Sequence, residues 1–354
     1  MVSAGVNVRF VEIGERARLP ENGGIVDRPE MGLEEVAMDR EAGGFPTGAE
    51  AAEAIDRRAF LLAGGAAAAA LPVAHGAGSM PQADQEAAGA KAALPGRTPH
   101  TTFALNIEMW FRSLPFTDRI RQTAALGFDW VEFWSWQGKD LAAIKATCEE
   151  VDVQVAQFIG WGFVPGLNHP DNHDQFEKTI EESCAAANDL GATMLTVVGG
   201  NDQPDMSQAE MHDHIITGLE RVENIIESAK VMLILEPMNI RVDHKGHSLY
   251  GSDPAIAICR ELDSPFIKIN WDIYHMQITE GDLCRRIRDA YDQIGYIQIA
   301  DNPGRREPGT GEINYTRVFQ ELASLGYDKP VGVECWPEGT EALAAQRLLK
   351  ADTW

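Results

Sequence analysis

Four side chains able to bind a metal ion stand at or near the ends of four successive apolar segments in the second half of the chain. They are Glu236, Asp272, Gln298 and Glu334. Within each segment, residues pointing to one side alternate with residues pointing to the other, as in a β-strand. If the segments are neighbouring parallel strands of a barrel, their carboxyl ends lie together and the four side chains point into one cavity.

Such a group of side chains has a clear electrostatic requirement. Three carboxylates in one cavity repel one another and lose solvation, and a bound divalent cation offsets both effects. A site made of oxygen ligands favours a hard cation, Mg²⁺ or Mn²⁺, over zinc. The sequence therefore predicts a Mg²⁺ or Mn²⁺ site at this mouth. The alternative is that each acid is an ordinary residue at a strand end.

Residues 101–354 alternate between apolar segments of strand length and longer segments with a helical period. Three helical segments end at Gly127, Gly191 and Gly326, and glycine is the residue most typical just after a helix. Eight strand–helix repeats predict an α/β fold, the (β/α)8 TIM barrel, which typically has about 250 residues. A doubly wound sheet is the alternative, but no glycine-rich fingerprint follows the first strand. The predicted strands are 103–107, 129–134, 153–159, 193–198, 231–236, 266–272, 294–300 and 331–336.

The first hundred residues differ from the barrel region in composition. Residues 1–56 are rich in Gly, Glu and Ala without sustained periodicity, and we expect a disordered extension. Residues 57–78 begin with two arginines and continue into an Ala-rich apolar run, which predicts a twin-arginine signal and export to the periplasm. That run is too short and too weakly apolar for a stable membrane span. Residues 79–100 are predicted to be a linker. An Ala-rich helix is the alternative for the signal segment.

Charge and cysteine content restrict the partners. A formal net charge of −24 disfavours binding to nucleic acid and to anionic membranes, so we expect a small-molecule partner, a sugar or a hydroxy-oxo acid. The five cysteines are scattered and lack CxxC spacing, so neither a disulfide framework nor a zinc site is indicated. The sequence is compatible with a homo-oligomer and does not specify one.

Four segments of the barrel region are distinctive: LILEPMN, NWDIYHMQ, YIQIADNPGRREPGTGEINY and VGVECWP. They resemble the hydroxypyruvate isomerase family of the xylose-isomerase-like barrel superfamily, and the resemblance spans about residues 101–354. It implies that Glu236, Asp272, Gln298 and Glu334 hold the metal ion. Related sugar epimerases have histidine where this chain has Gln298, which favours the hydroxypyruvate isomerase branch.

The resemblance also implies an activity. It is metal-dependent aldose–ketose isomerisation through an enediolate, with conversion of hydroxypyruvate to tartronate semialdehyde as the family reaction. Glu236 and Glu334 would remove and return the proton. His275 and Arg305 would bind the substrate, and Glu307 is expected to order the loop.

Other functions remain open on the sequence. One is a sugar epimerase or isomerase acting on a larger or modified sugar, and another is an exported barrel that binds sugar without catalysis. An apurinic-site endonuclease is disfavoured, because this acidic chain lacks a histidine-rich zinc centre. Trp134 could pack in the structure or stack on a sugar ring. His244 and His247 are expected in a solvated loop.

Overall fold

The computed structural model describes residues 94–354. Within this range, eight parallel strands close into a barrel in the order β1 to β8, and helices follow them on the outside. The predicted TIM barrel is therefore confirmed. The predicted extension at 1–56, the signal segment at 57–78 and the linker up to residue 93 lie outside the described residues.

The strands agree closely with the predicted segments. They are β1 Phe103–Asn106, β2 Trp130–Ser135, β3 Gln154–Trp161, β4 Met194–Val198, β5 Met232–Glu236, β6 Ile267–Asp272, β7 Ile294–Ile299 and β8 Val331–Val333. The helices are α1 Phe116–Leu126, α2 Leu141–Val151, α3 His173–Leu190, α4 Gln208–Ala229, α5 Ser252–Leu262, α6 Ile273–Thr279, α7 Leu283–Ala290, α8 Tyr315–Leu325 and α9 Glu341–Ala351.

Local sequence signals explain where several helices begin and end. Gly127, Gly191 and Gly326 follow α1, α3 and α8 in left-handed conformation, with φ of 94°, 73° and 77°. Glycine adopts this conformation without the steric cost that a Cβ atom brings. Helix α4 begins with a capping box in which Ser207 and Glu210 satisfy each other's free backbone N–H groups.

The interior of the barrel is apolar near the amino ends of the strands and polar towards their carboxyl ends. The apolar layer consists of Ala104, Ala156, Met194, Ile234 and Tyr296, all buried. On β5, Ile234 belongs to this layer and Glu236 follows two residues later on the same face. The alternation therefore places the Glu236 carboxylate at the open end of the barrel, and the apolar layer fills the other end.

The segment before β1 packs at the amino ends of the strands. The Asp352 carboxylate accepts hydrogen bonds from the backbone N–H groups of His100 at 2.8 Å and Thr101 at 2.9 Å. The His100 ring stacks on Trp354 with 3.8 Å between ring centroids. These contacts hold the first strand to the last helix. Among the described residues, no helix is long and apolar enough to cross a membrane.

Candidate active site

Three predicted carboxylates converge at the open end of the barrel. Glu236 and Asp272 are the last residues of β5 and β6, and Glu334 follows β8 directly. All three are buried, with exposed fractions of 5%, 0% and 7%. Burial, followed by repulsion from Glu334, raises the pKa of Glu236 well above its usual range. Burial also raises the pKa of Asp272, to about 7, against the opposing effect of Arg305.

Arg305 lies among these carboxylates. Its Nη2 is 2.9 Å from Glu334 Oε2 and 3.4 Å from Asp272 Oδ2, and its guanidinium stacks over the Tyr274 ring. Burial lowers the pKa of Arg305, but the three carboxylates together outweigh this effect and raise it. Arg305 was predicted to bind substrate; the structure pairs it with two of the predicted metal ligands.

A tightly bonded loop delivers Arg305 to this position. Arg305 itself has a φ of 53°, in the left-handed region. The Asp301 carboxylate accepts hydrogen bonds from five backbone N–H groups, those of Asn302, Gly309, Thr310, Gly311 and Ile313. Glu307 is buried and accepts hydrogen bonds from Arg347 and from the backbone N–H of Glu338. The expectation that Glu307 orders the loop is confirmed.

His275 joins the carboxylates through its Nε2 atom. This nitrogen is 3.4 Å from Asp272 Oδ2 and 3.9 Å from Glu236 Oε1, and it has no hydrogen-bond partner among the described residues. The other ring nitrogen, Nδ1, is 2.7 Å from Asn239 Nδ2. The Asn239 amide is oriented because its Oδ1 accepts from two backbone N–H groups, those of Val242 and Asp243.

This orientation fixes the tautomer of His275. Asn239 Nδ2 is a donor, so His275 Nδ1 must be the acceptor. Burial, followed by repulsion from Arg305, lowers the pKa of His275 well below its usual value, so the ring is neutral. Its one proton therefore lies on Nε2 and points towards the carboxylates. In this tautomer Nε2 would donate a hydrogen bond to a substrate oxygen, and the predicted substrate-binding role of His275 stays a prediction.

Gln298 pairs with Asp272 in the register of β6 and β7, and its side chain lies in a polar network. Its Nε2 donates to Glu132 Oε1 at 2.9 Å, and its Oε1 accepts from Asn270 Nδ2 at 2.6 Å. Glu236, Asp272 and His275 each offer one atom that could hold a metal ion, and these three atoms lie within 4.8 Å of one another. The predicted ligand role of Gln298 stays a prediction.

Glu132 is the buried group that the sequence prediction missed. It lies on β2 with an exposed fraction of 0%, and besides Gln298 it accepts hydrogen bonds from Asn106, Gln157 and the Tyr296 hydroxyl. Burial and repulsion from Glu334 raise the pKa of Glu132 to about 7. A charged residue inside a predicted buried strand was the available signal, because an ionisable side chain is costly there without partners.

A cavity of about 650 Å³ opens above the carboxylates. Glu236, Glu334, His275 and Arg305 line its base. The wall includes Met109, Trp134, Ser135, Gln137, Trp161, Phe163, Gln175, Thr179, Met238, His244 and Trp336. Asp272 does not line the cavity and lies behind its base.

The expectation that His244 and His247 are solvated is wrong. His244 is half-buried, lines the cavity and stacks on Phe163 with 5.0 Å between ring centroids. His247 is fully buried, and burial lowers its pKa to about 3. The loop folds back on the barrel, where His247 forms a β-bridge with Asn201.

A family described as "Xylose isomerase-like TIM barrel" matches residues 120–352. The chain belongs to this family. Within it, the chain is 29% identical over 244 residues to hydroxypyruvate isomerase of Escherichia coli (strain K12), covering 67% of this chain and 94% of that protein. It is 32% identical over 250 residues to 2-oxo-tetronate isomerase of Cupriavidus necator, covering 68% of this chain and 95% of that protein. This xylose isomerase-like barrel is an isomerase, as predicted.

Solved structures show the same fold. The crystal structure of a family 2 AP endonuclease from Brucella melitensis superposes with a TM-score of 0.66 and 24% sequence identity, covering 70% of this chain and 96% of that chain. At this identity the likeness concerns the fold alone. The chemistry of the present chain has to be argued from its own site.

Proposed function

We propose that this chain is a metal-dependent aldose–ketose isomerase that moves a proton between adjacent carbons of a hydroxy-carbonyl compound. The relatives named hydroxypyruvate isomerase and 2-oxo-tetronate isomerase support this reaction class. The observation that carries the proposal is the pair Glu236 and Glu334, two buried carboxylates that line the base of one cavity from different strands. Conversion of hydroxypyruvate to tartronate semialdehyde is the first reaction to test.

The donor set at the cavity base fits a divalent cation. Glu236, Asp272 and Glu334 are buried together, and Arg305 supplies one positive charge against three carboxylates. Burial and mutual repulsion disfavour the charged form of Glu236, which an added cation would relieve. These three residues, with the Gln298 amide oxygen as the predicted fourth ligand, would hold Mg²⁺ or Mn²⁺. The cation would stabilise negative charge developing on substrate oxygens.

The residues of the chain provide the proton transfer. A buried carboxylate beside the reacting carbon can remove the proton and, once protonated, return it. Glu236 and Glu334 both line the cavity and would share these two steps. The Nε2–H of His275 points to the same place and would donate to the substrate oxygen where charge accumulates.

The test is solvent deuterium incorporation next to the carbonyl, followed by NMR. The substrates are hydroxypyruvate, tetroses, pentoses and hexoses, with Mn²⁺ or Mg²⁺ and then with EDTA. We expect exchange that requires metal and falls about 100-fold or more in Glu236→Gln and in Glu334→Gln. Glu338→Gln is the matched control, because Glu338 lies four residues after Glu334 but is exposed and paired with Arg347. Absence of exchange with every compound would exclude these substrates, and exchange that survives EDTA or both glutamate variants would refute the proposal.

We also propose that the protein is exported through the twin-arginine pathway. The support is the sequence pattern at 57–78, two arginines followed by an Ala-rich apolar run. Cell fractionation tests it directly. A full-length product confined to the cytoplasm would refute export without affecting the proposed reaction.

A further inference from the structure

We propose that the cavity binds a neutral sugar of two rings. Its hydroxy-carbonyl end would lie at Glu236 and Glu334, and its second ring would lie against Trp134 and Trp336. This inference rests on the proposed isomerase function and defines its substrate class. It is carried by the size, the aromatic wall and the charge of the cavity.

The cavity is too large for a three-carbon acid. Its volume is about 650 Å³. A compound with about seven non-hydrogen atoms takes up roughly the space of four water molecules at about 30 Å³ each, near 120 Å³. Most of the cavity would then stay filled with water. Cavities of about 300–1,000 Å³ typically enclose drug-sized ligands, which are several times larger than a three-carbon acid.

Two tryptophans form an aromatic corner next to the predicted catalytic base. The Trp134 indole Nε1 donates to Glu334 Oε1 at 2.8 Å, so this ring lies directly beside the Glu334 carboxylate. Trp134 is 37% exposed, and it meets Trp336 with 6.5 Å between centroids and 80° between ring planes. Arg112 stacks over Trp336 at 4.7 Å from the ring centroid and holds that ring in place. Rigid indole faces suit the apolar C–H faces of a sugar ring.

Polar side chains that the fold does not use complete the outer wall. Gln175 and Thr179 are one helical turn apart on α3 and line the cavity, and their side chains have no hydrogen-bond partner among the described residues. Gln137 lines the same region from the loop after β2, and its amide oxygen accepts from Ser135, which leaves its amide nitrogen free. Amide and hydroxyl groups beside an aromatic wall match a ring that carries hydroxyls on its edge.

The charges favour a neutral ligand. Among the residues that line the cavity, Arg305 is the one arginine or lysine. It is already paired with Glu334 and Asp272. With the proposed divalent cation bound, its two charges and the one on Arg305 balance the three carboxylates at the base, so a substrate carboxylate gains no net attraction there. A neutral sugar needs none.

The reaction on such a substrate balances within one molecule. The reducing-end sugar opens to an aldehyde, the proton on carbon 2 leaves, and a proton returns to carbon 1. The oxygen on carbon 1 gains a proton and the oxygen on carbon 2 loses one, so an aldose becomes a ketose. No oxidant, reductant or co-reactant is needed. The second ring remains unchanged and contributes only binding.

The experiment compares cellobiose with glucose and hydroxypyruvate in the deuterium exchange assay, using the Mn²⁺-loaded protein. Binding of cellobiitol, the reduced disaccharide that cannot isomerise, is measured separately by calorimetry. Thr179→Trp fills the outer wall, and Gln175→Ala removes one amide with little steric change. Lys178→Ala is the control, because Lys178 lies between them on the exposed side of α3.

We expect kcat/KM for cellobiose to exceed that for glucose by about tenfold or more, equivalent to about 1.4 kcal/mol. Thr179→Trp and Gln175→Ala should reduce that ratio, and Lys178→Ala should not. Glucose or hydroxypyruvate exchanging as fast as cellobiose, with no effect of Thr179→Trp, would overturn the inference and leave the isomerase proposal standing. Cellobiitol binding that Thr179→Trp abolishes, with no exchange on any compound, would support the two-ring site and refute the isomerase. Neither binding nor exchange would overturn both.

Discussion

Replacing Arg305 by glutamine tests whether a cation is required among the three carboxylates. Arg305 Nη2 lies 2.9 Å from Glu334 and 3.4 Å from Asp272, and the arginine side chain is 17% exposed. One ion pair at about 3 Å corresponds to roughly 5–6 kcal/mol of attraction at an effective dielectric constant of about 20. Part of this offsets the desolvation of the guanidinium. Breaking a buried pair therefore costs about 3–5 kcal/mol.

The assay is thermal unfolding with EDTA and with Mn²⁺. Without metal, Arg305→Gln should lower Tm by roughly 6–20 °C, taking about 2–4 °C per kcal/mol for a domain of this size. Mn²⁺ should raise Tm more in Arg305→Gln than in the wild type, because the cation then relieves carboxylates that have lost their own positive partner. This measurement reads metal binding without requiring activity.

Arg306→Gln is the matched control, since Arg306 is the next residue of the same loop but its side chain is exposed and donates to the Trp336 carbonyl oxygen, away from the carboxylates. It should change Tm by little. Two results would refute the reasoning. One is an equal loss of Tm in both variants, which would make the effect a property of the loop. The other is an increase of Tm by Mn²⁺ that is the same in Arg305→Gln as in the wild type, which would show that the metal ion does not bind beside Arg305.

Three further changes test other buried groups. Glu132→Gln places an amide N–H against side-chain donors and should cost about 2–4 kcal/mol in urea unfolding; wild-type stability would contradict the hydrogen-bond network assigned to Glu132. Asp301→Asn replaces one of the two oxygens that together accept from five backbone N–H groups by an NH₂ donor, so hydrogen exchange at Gly309–Gly311 should accelerate, and unchanged protection would contradict the assigned loop role. The pKa of buried His247 is lowered to about 3, so between pH 6.5 and pH 3 the unfolded chain binds a proton that the folded chain does not. Stability should therefore fall as pH decreases, by about 2 kcal/mol from pH 7 to pH 5. His247→Gln should remove that component of the pH profile, and an unchanged profile would assign it to other groups.

The barrel and its carboxylates could be predicted because they follow from local periodicity. Glu236 and Asp272 close strands in which every second residue faces the interior, so their position follows from a period of two. Glycine after α1, α3 and α8 marked the helix ends in the same local way. These signals need no knowledge of distant residues.

The polar layer could not be predicted in this way, because it depends on a break in the period. Val131 pairs with Val155 but Glu132 pairs with Gln157, so β3 contains one extra residue at Ala156. Ala156 belongs to the apolar interior, and its neighbour Gln157 also faces inward, where it bonds to Glu132. Strict alternation would have placed one of these two residues on the outside.

The positions of His247 and Arg305 depend on contacts that local sequence patterns do not indicate. His247 is buried because its loop returns to Asn201, which lies 46 residues earlier in the chain. Arg305 reaches the carboxylates because Asp301 gathers backbone N–H groups from up to 12 residues further along. In both cases the sequence predicted a polar loop near the mouth but not the direction in which the loop folds.

The contact between His100 and Trp354 brings the first and last parts of the described chain together on the face of the barrel opposite the cavity. In a barrel shortened to residues 94–354, either end would therefore be a suitable point of attachment to a solid support or to a fusion partner, because a group placed there leaves the entrance open. In that shortened barrel the same proximity permits a circular permutation, in which a short peptide joins the two ends and new termini are cut in an exposed loop. Such a permuted barrel would keep its carboxylates in register while its chain began and ended elsewhere.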